Sequence, residues 1–335
     1  MSKWRRATGM YCEIKDTAGE VIYGGWHISR RKAVEAAIAK GQSLRKADLT
    51  GIKLAGASLG GADLRDAKLD GLDLSAADLA DARLQGASLE AAQLTGIKAA
   101  GARFDNARLQ QAVMQAANLT SATFTGSRME MVDLDRARLS HAVMDNARLD
   151  RATLRGVSAR GARLIGVCLS GARLAGADFS VTDMTRADLS LTEAPGLMMT
   201  GARLDKALLA GARLTSGSLA DASLQGTRFT EDGMDRHLEL MGTTLRGTRF
   251  DANAELPEGS LQGASDLSSA VILRDNGHPD TSLVLTREGI MHERRARKAG
   301  LIETPASKAD IDPPKKADRR RTLRRTLRHR LPQPA

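Results

Sequence analysis

Large apolar side chains recur at every fifth position through most of the chain. Stepping by five from Leu44 to Met234 reaches 39 positions, of which 36 carry Leu, Met or Phe and three carry Ala. Alanine fills 25 of the positions two residues earlier, and glycine is common two residues later. A period of five fits neither a helix nor a strand. The pattern predicts a repeat structure whose five-residue unit supplies one small and one large inward side chain and a corner.

The unit resembles that of the pentapeptide repeat family, whose pattern is A(D/N)LXX. It is matched at Ala47-Asp48-Leu49, Ala62-Asp63-Leu64, Ala77-Asp78-Leu79 and Ala117-Asn118-Leu119. The resemblance covers residues 42–235 without a break. It implies an all-β solenoid, a right-handed quadrilateral parallel β-helix with four units to a coil and about ten coils, roughly 47 Å long at a coil spacing of ~4.8 Å.

Repeat centres twenty residues apart are expected to stack in buried columns on one face of such a coil. The two columns predicted from the sequence are Phe104, Phe124 and Met144, and Leu109, Met129 and Leu149. Glycine or small residues are expected to turn the corners.

A hairpin and a helix are predicted ahead of the repeats, in residues 1–41. The predicted elements are a strand at 11–16, a glycine-containing turn at 17–20, a strand at 21–26, an N-cap at Ser29, a helix at 30–40 with Ala33, Val34, Ala37 and Ile38 on one face, and a stop at Gly41. A solenoid leaves its core and backbone open at each end, so this segment is predicted to cap the first coil.

The repeat phase slips by one within residues 231–245, and the repeat rod is expected to continue to residue 255. Residues 256–300 are then predicted to form a hairpin and a basic helix. The predicted elements are strands at 270–275 and 280–286 and the helix at 287–299. Some family members dimerise through their C-terminal end, so a homodimer through 256–300 is a hypothesis that the resemblance suggests.

Charge is concentrated at the two ends of the chain. Residues 42–235 hold 23 Lys+Arg and 23 Asp+Glu, a difference of zero, although the whole chain is +10. Residues 301–335 form a polar, Pro-containing basic tail predicted to be disordered. Its candidate contact residues are Arg319, Arg320, Arg321, Arg324, Arg325, Arg328 and Arg330. The tail has no aromatic residue, so nucleic-acid binding through it would be non-specific and salt-sensitive.

Arginine often occupies the outward position just before the centre, where the family pattern has Asp or Asn. Arg108, Arg128 and Arg148 are expected to form a ladder on consecutive coils of one face. This ladder is a candidate site of anion or partner contact. In the alternative interpretation Glu130 and Asp150 neutralise it. The same spacing relates Arg103 to Asp105 and Arg203 to Asp205.

No catalytic, cofactor-binding or metal-binding site is predicted. The sequence contains no phosphate-binding loop, dinucleotide fingerprint or HExxH motif, and its six histidines and two cysteines lack ligand spacing. The protein is therefore expected not to be an enzyme and to need no cofactor. No apolar run approaches the ~20 residues of a transmembrane helix, and no secretory signal is recognisable. A cytoplasmic location is expected, although a virion component or a delivered protein would share these features.

These observations predict a non-enzymatic protein-interaction or structural rod whose basic tail contacts an acidic partner, expected to be a protein. One alternative is a nucleic-acid tether that binds through the tail, and another is a phage virion component or a delivered bacterial effector. The resemblance adds a third, because some family members mimic DNA and bind type II topoisomerases. The balanced charge of the repeat segment argues against mimicry, which needs an acidic surface.

Overall fold

The computed structural model shows a right-handed quadrilateral β-helix with an N-terminal sheet and helix at one end and a β-hairpin at the other. It describes residues 9–231, 238–252, 254–274, 279–280 and 283–292. The regular elements are β1 (Met10–Asp16), β2 (Val21–His27), α1 (Arg30–Ala39), β3 (Ala47–Asp48), β4 (Ser223–Leu224), β5 (Arg249–Asp251), a short 3₁₀ helix (Leu267–Ser269), β6 (Val271–Leu273), β7 (Leu283–Thr286) and β8 (Gly289–His292). Single β-bridges connect the coils between β3 and β4.

Each five-residue unit closes with a β-turn. The backbone N–H of Ala47 donates to the carbonyl of Leu44 at 3.0 Å, and equivalent bonds recur along the rod. The third residue of the turn has a positive φ, 59° at Lys46 and 72° at Gly51, as a type II turn requires. Pro195 occupies the second position of one such turn, where its fixed φ fits and no backbone bond of the ladder is lost.

The sequence analysis predicted glycine or small residues at the corners of the coil. This prediction is wrong at several corners, which carry large side chains. Met131, Arg136 and Val181 hold the third turn position with φ values of 57°, 57° and 59°. A left-handed conformation costs a residue with a side chain about 1–2 kcal/mol. The hydrogen bonds on both sides of every coil impose the corner conformation even where the residue does not favour it.

The coils stack by parallel pairing between residues twenty apart, from Asp48 with Lys68 through to Leu208 with Arg228. The N–H of Leu49 donates to the carbonyl of Lys68 at 3.1 Å, and the N–H of Lys68 donates to the carbonyl of Ala47 at 2.9 Å. Since centres are five residues apart, four units complete one coil. The quadrilateral β-helix predicted from the repeat is confirmed.

The large side chain of every unit lies in the core. All centres from Leu44 to Phe229 are at most 2% exposed. The rings of Phe104 and Phe124 stack in neighbouring coils with centroids 4.9 Å apart and planes 3° from parallel. The other members of the two predicted columns, Met144, Leu109, Met129 and Leu149, are also buried. The two columns are therefore part of one continuous core.

The N-terminal sheet extends one face of the rod. β1 pairs antiparallel with β2 along its length and with β3 at its end, which gives the order β2-β1-β3. Lys15 of β1 is paired with Asp48 of the first coil. The sheet therefore occupies the edge of the first coil that would otherwise be open.

Helix α1 packs behind this sheet and over the open end of the core. The hydroxyl of Ser29 caps its first turn by accepting from the N–H of Lys32 at 3.2 Å. Ala33, Val34 and Ala37 are buried in the same core as the first coil, and Ile38 is partly buried against it. Arg31 donates to the carbonyl of Ala55 at 2.7 Å. Apolar packing and hydrogen bonds thus both hold the helix on the rod.

The rod continues past an insertion of six residues. Leu208 pairs with Arg228, twenty residues later, whereas Arg213 pairs with Glu239, twenty-six later, and 26 − 20 = 6. Six residues shift a five-residue repeat by one position. Leu240, only 2% exposed, takes the core place that the sequence analysis gave to Met234, which lies outside the described residues. After Phe229 the next described centre of the rod is therefore Leu240.

The C-terminal strands pair differently from the prediction. β6 (Val271–Leu273) pairs in parallel with β5 and extends the rod. Over the described residues, its antiparallel pairing with the predicted strand at 280–286 is limited to a bridge between Leu273 and Pro279 and a bond of 2.7 Å from the N–H of Asp280 to the carbonyl of Ile272. The hairpin instead joins β7 to β8 (Gly289–His292). The helix predicted at 287–299 is therefore wrong over 287–292, where a turn at 287–288 leads into β8, and residues 293–299 lie outside the described residues. A short apolar run predicts a strand, but the open edge of β5 decides its partner.

Candidate functional site

The arginine ladder of Arg108, Arg128 and Arg148 runs along one face of the rod. The three residues form successive parallel bridges, and their side chains are more than half exposed. Arg108 is held in place by Glu90, at 3.2 Å from Nε to Oε1, and by a hydrogen bond of 2.8 Å to the hydroxyl of Ser88. The structure therefore places the three arginines together.

Acidic side chains between the rungs compensate the charge of the ladder. Glu130 Oε1 lies 3.7 Å from Nε of Arg128 and 3.3 Å from Nε of Arg148. Asp150 Oδ2 lies 3.7 Å from Nε of Arg148. With Glu90, the three arginines face three carboxylates, so the strip has no net charge.

Of the two further pairings considered in the sequence, the structure contains one. Arg203 Nη2 lies 3.6 Å from Asp205 Oδ2. In the described part of the chain, however, Arg103 forms no ion pair with Asp105. Asp105 instead accepts from the hydroxyl of Thr123 at 2.8 Å and from the N–H of Thr125 at 3.0 Å, and these bonds orient the carboxylate away from the arginine.

Many outward aspartates serve the backbone of the rod. Asp73, just before a centre, accepts from the N–H of Ser75 at 2.9 Å, and this bond lowers the pKa of Asp73 below its usual value. Asp70, just after a centre, accepts from the N–H of Glu90 in the next coil at 2.9 Å. These N–H groups belong to turn residues that have no backbone partner, so aspartate supplies the acceptor they lack.

Cys168 continues the column of the ladder by one coil. Its thiol donates to Asp150 Oδ1 at 3.0 Å. Burial and the hydrogen bond to that carboxylate raise the pKa of Cys168 to about 11. The thiol is therefore protonated at neutral pH, which is unfavourable for a nucleophile or a metal ligand.

A cleft near the C-terminal end of the regular coils contains cations that the sequence analysis missed. Arg186 and Lys206 occupy corner positions of adjacent coils with φ values of 61°, and with Arg228 and Asp251 they line a cavity of about 770 Å³. The sequence analysis considered arginine only just before a centre. A search for Arg and Lys two residues after each repeat centre would have found these two cations.

An exposed apolar patch on the N-terminal sheet was also missed. The aromatic patch, as defined here, consists of Tyr11, Val21, Trp26 and Ile28, each more than half exposed. Tyr11 and Trp26 are cross-strand partners whose ring centroids lie 5.8 Å apart at 70°. All four Trp and Tyr residues of the chain lie within its first 26 residues, and this clustering is the signal that the sequence already contained.

The remaining predicted contact residues, the tail arginines from Arg319 to Arg330, lie outside the described residues. Among the residues that are described, no group of three or more His, Cys, Asp or Glu could hold a metal ion. Within the same part of the chain, no helix has the length and apolar character needed to cross a bilayer.

Comparison with protein families gives one match. The family described as pentapeptide repeats matches in eight copies that together cover residues 43–193 and 199–231, more than half of the chain. No match is found among curated proteins.

Several solved structures resemble the chain. HetL, a pentapeptide repeat protein involved in heterocyst differentiation regulation from the cyanobacterium Nostoc sp. strain PCC 7120, is 23% identical, with 65% of this chain and 95% of HetL covered and a TM-score of 0.30. QnrB1, a plasmid-mediated fluoroquinolone resistance protein, is 14% identical over 49% of this chain and 84% of its own, with a TM-score of 0.35. Rfr23 from the cyanobacterium Cyanothece 51142 is 22% identical over 35% of this chain and 59% of its own, with a TM-score of 0.18.

Proposed function

The chain belongs to the pentapeptide repeat family, and we propose that it is a non-enzymatic interaction rod whose basic tail contacts an acidic protein. Pentapeptide repeat proteins are in general structural or interaction proteins. In this proposal the coils serve as a spacer between an apolar N-terminal end and a basic C-terminal end. Binding is then a property of the ends.

The observation that carries the proposal is the charge compensation on the faces of the rod. Residues 42–235 contain 23 basic and 23 acidic residues, and the arginine ladder, its most concentrated basic feature, faces Glu90, Glu130 and Asp150. Exposed ion pairs of this kind contribute little to stability or binding. The uncompensated charge is in residues 315–330, with nine Lys+Arg and one Asp, a difference of +8.

The same observation disfavours mimicry of DNA by the rod. A DNA mimic needs a continuous excess of negative charge along its surface. Here Asp70 and Asp73 accept hydrogen bonds from backbone N–H groups, and Asp205 faces Arg203. The hydrogen bonds leave Asp70 and Asp73 charged, and it is the equal number of basic and acidic residues in 42–235 that leaves the rod without an excess of negative charge.

A matched pair of variants of the full chain tests the proposal. The tail variant carries Arg319→Gln, Arg320→Gln and Arg321→Gln. The ladder variant carries Arg108→Gln, Arg128→Gln and Arg148→Gln, so both lose three positive charges. Binding of poly-glutamate and of a random-sequence DNA duplex is measured by fluorescence anisotropy over a series of salt concentrations.

We expect the tail variant to bind poly-glutamate at least about tenfold more weakly than the unmodified chain, because each arginine is a separate charge contact. The ladder variant should bind as the unmodified chain does. Equal losses in the two variants, or no binding of poly-glutamate, would overturn the proposal. A third outcome is that the chain binds the DNA duplex but not poly-glutamate, and that this binding depends on the tail. If the slope of log affinity against log salt concentration also falls by about one per arginine removed, the protein is a nucleic-acid tether instead.

A further inference from the structure

The aromatic patch lies on the solvent side of the N-terminal sheet. Side chains alternate along β1. Cys12 and Ile14 point inward and are buried in the core, whereas Tyr11, the residue before Cys12, points outward. Trp26 is 71% exposed although it is the largest side chain of the sheet. Tryptophan and tyrosine are enriched at the centres of protein interfaces. The chain therefore places its most suitable contact residues where its own core does not use them.

The patch is preorganised by a glycine. A Cβ atom at Gly24 would lie 2.6 Å from the hydroxyl oxygen of Tyr11, so the tyrosine lies across the bare backbone of β2. Its ring then meets Trp26 edge to face. Rings fixed in this way lose little conformational entropy on binding.

The area of the patch suits a small protein interface. Two aromatic side chains of about 150–250 Å² each, exposed to 55% and 71%, contribute roughly 190–315 Å². With the exposed Val21 and Ile28, the apolar area is about 400 Å². Interfaces are about 56–65% apolar, so this patch corresponds to roughly 600 Å² per partner. Two such surfaces amount to about 1,200 Å², the lower end of the range for specific complexes.

The charges beside the patch favour a second copy of the chain over a polyanion. Glu13 and Lys15 lie on the same outward surface and form an ion pair of 3.4 Å. Over the described residues of β1 and β2, this surface therefore has no excess of cations for nucleic acid or for an anionic membrane. It also has no net charge that would repel an identical surface.

We propose that the aromatic patch is a self-association surface, on which a second copy of this chain packs about a two-fold axis. An isologous interface uses the same residues on both sides, so Tyr11 and Trp26 of each copy supply both halves of the contact. The patch lies at one end of the rod. If the two-fold axis is perpendicular to the rods, the two rods point in opposite directions and only the N-terminal sheets are in contact. The result is a head-to-head dimer whose rods extend in opposite directions from the contact.

Sedimentation equilibrium of the full chain after nuclease treatment, at concentrations of about 1–100 µM, tests this proposal. The expected limiting mass is twice the chain mass of 35.7 kDa. Trp26→Lys should weaken the dimer by about thirtyfold or more, as expected for a central interface residue. Ile28→Lys provides a second variant at an exposed position, and circular dichroism checks that each variant is folded.

The matched control is Met131→Lys, which places the same charge at an exposed apolar position on the rod. It should leave the dimer unchanged. A mass of one chain at every concentration would overturn the proposal. A dimer that neither Trp26→Lys nor Ile28→Lys weakens would overturn it as well and would direct attention to residues 256–300. The tail experiments above are independent of either result.

Discussion

The regular coils from Leu44 to Phe229 and the irregular coils from Leu238 to Leu273 stack in the same way with different sequence spacings. In the regular coils, partners are always twenty residues apart. In the irregular coils Thr244 pairs with Ser265, 265 − 244 = 21, and Arg249 pairs with Val271, 271 − 249 = 22. The parallel ladder and a buried large side chain in each strand are therefore sufficient for a coil to stack on the one before it. A strict spacing of twenty residues between partners is not required.

The small inward position also differs between the two regions. It is usually alanine in the regular coils, whereas Thr243 and Thr248 hold it in the irregular coils and are buried. Thr248 donates from its hydroxyl to the carbonyl of Leu219, in the preceding coil, at 2.8 Å, and Thr243 does the same to the carbonyl of Leu214. Thr227, the last small inward residue before the insertion, makes the same bond to the carbonyl of Leu204 at 2.7 Å. From the edge of the insertion onward, side-chain hydrogen bonds between coils therefore supplement the backbone ladder.

Removing a core ring should distinguish the two regions most strongly. Phe104→Ala deletes one of two stacked rings and is expected to lower the free energy of unfolding by about 3–5 kcal/mol. Phe250→Ala, which removes the ring 6.1 Å from Phe229, should cost a similar amount locally. Because each coil contacts only its neighbours, hydrogen exchange should accelerate on both sides of Phe104, whereas for Phe250 it should accelerate in the irregular coils and in the last regular coil, which contains Phe229. Equal acceleration along the whole rod in both variants would contradict this picture.

Overfilling the regular core is expected to have the next largest effect. Ala99 is a small centre one corner before Phe104, so Ala99→Leu adds volume beside a large ring and should cost about 1–3 kcal/mol. Adding Phe104→Leu should recover part of the loss, which a double-mutant cycle in urea measures. Ala159→Leu is the control, because the next centre there is Leu164 and more room is available. Equal costs at the two alanines would show that ring volume does not set the limit.

The buried threonine hydroxyls offer a smaller test. Thr248→Val keeps the shape of the side chain but removes its bond to the preceding coil, and should lower stability by about 1 kcal/mol. The control in the regular coils is Thr192→Val, because Thr192 bonds the carbonyl of Leu189 within its own turn at 2.9 Å. Both losses are measured from urea midpoints. Only Thr248→Val should also accelerate exchange in the coil that follows the insertion.

The smallest effect concerns an ion pair at the first coils. Arg65 donates two hydrogen bonds to Asp63, at 2.7 and 2.8 Å, and these hold the pKa of Asp63 well below its usual range despite partial burial. A carboxyl with a lowered folded pKa contributes stability above its unfolded pKa of about 3.9, and this contribution is lost as the pH falls through the folded pKa.

Asp63→Asn should therefore lower stability at pH 7 by a few tenths of a kcal/mol to about 1 kcal/mol. The difference from the unmodified chain should shrink as the pH falls below about 4. Arg65→Gln, which removes the donor of both hydrogen bonds, should reduce the pH dependence that the unmodified chain shows in urea titrations. A constant difference for Asp63→Asn between pH 7 and pH 3 would contradict the linkage.

The candidate surfaces were only partly predictable. The position of the arginine ladder follows from the repeat, since residues twenty apart on one face must be neighbours. The repeat does not predict which ion pairs form, because they depend on side-chain rotamers and on competing donors. Glu130 is shared between Arg128 and Arg148. Asp105 bonds Thr123 and, in the described chain, forms no pair with Arg103. The aromatic patch was visible in the clustering of Trp and Tyr, but its exposure depends on how the sheet packs.

The sequence by itself determined which side chains form the core of this protein, because one small and one large side chain recur in every five-residue unit and both are buried. The four-sided coil was implied by the family resemblance. The sequence also determined where the repeat phase changes. Only the tertiary structure decided that Leu240 continues the core beyond Phe229, and that β6 pairs with β5 rather than with β7. The physical reason is that periodicity records which side chains face inward, whereas the partner of a strand outside the periodic segment depends on which backbone edge is open beside it.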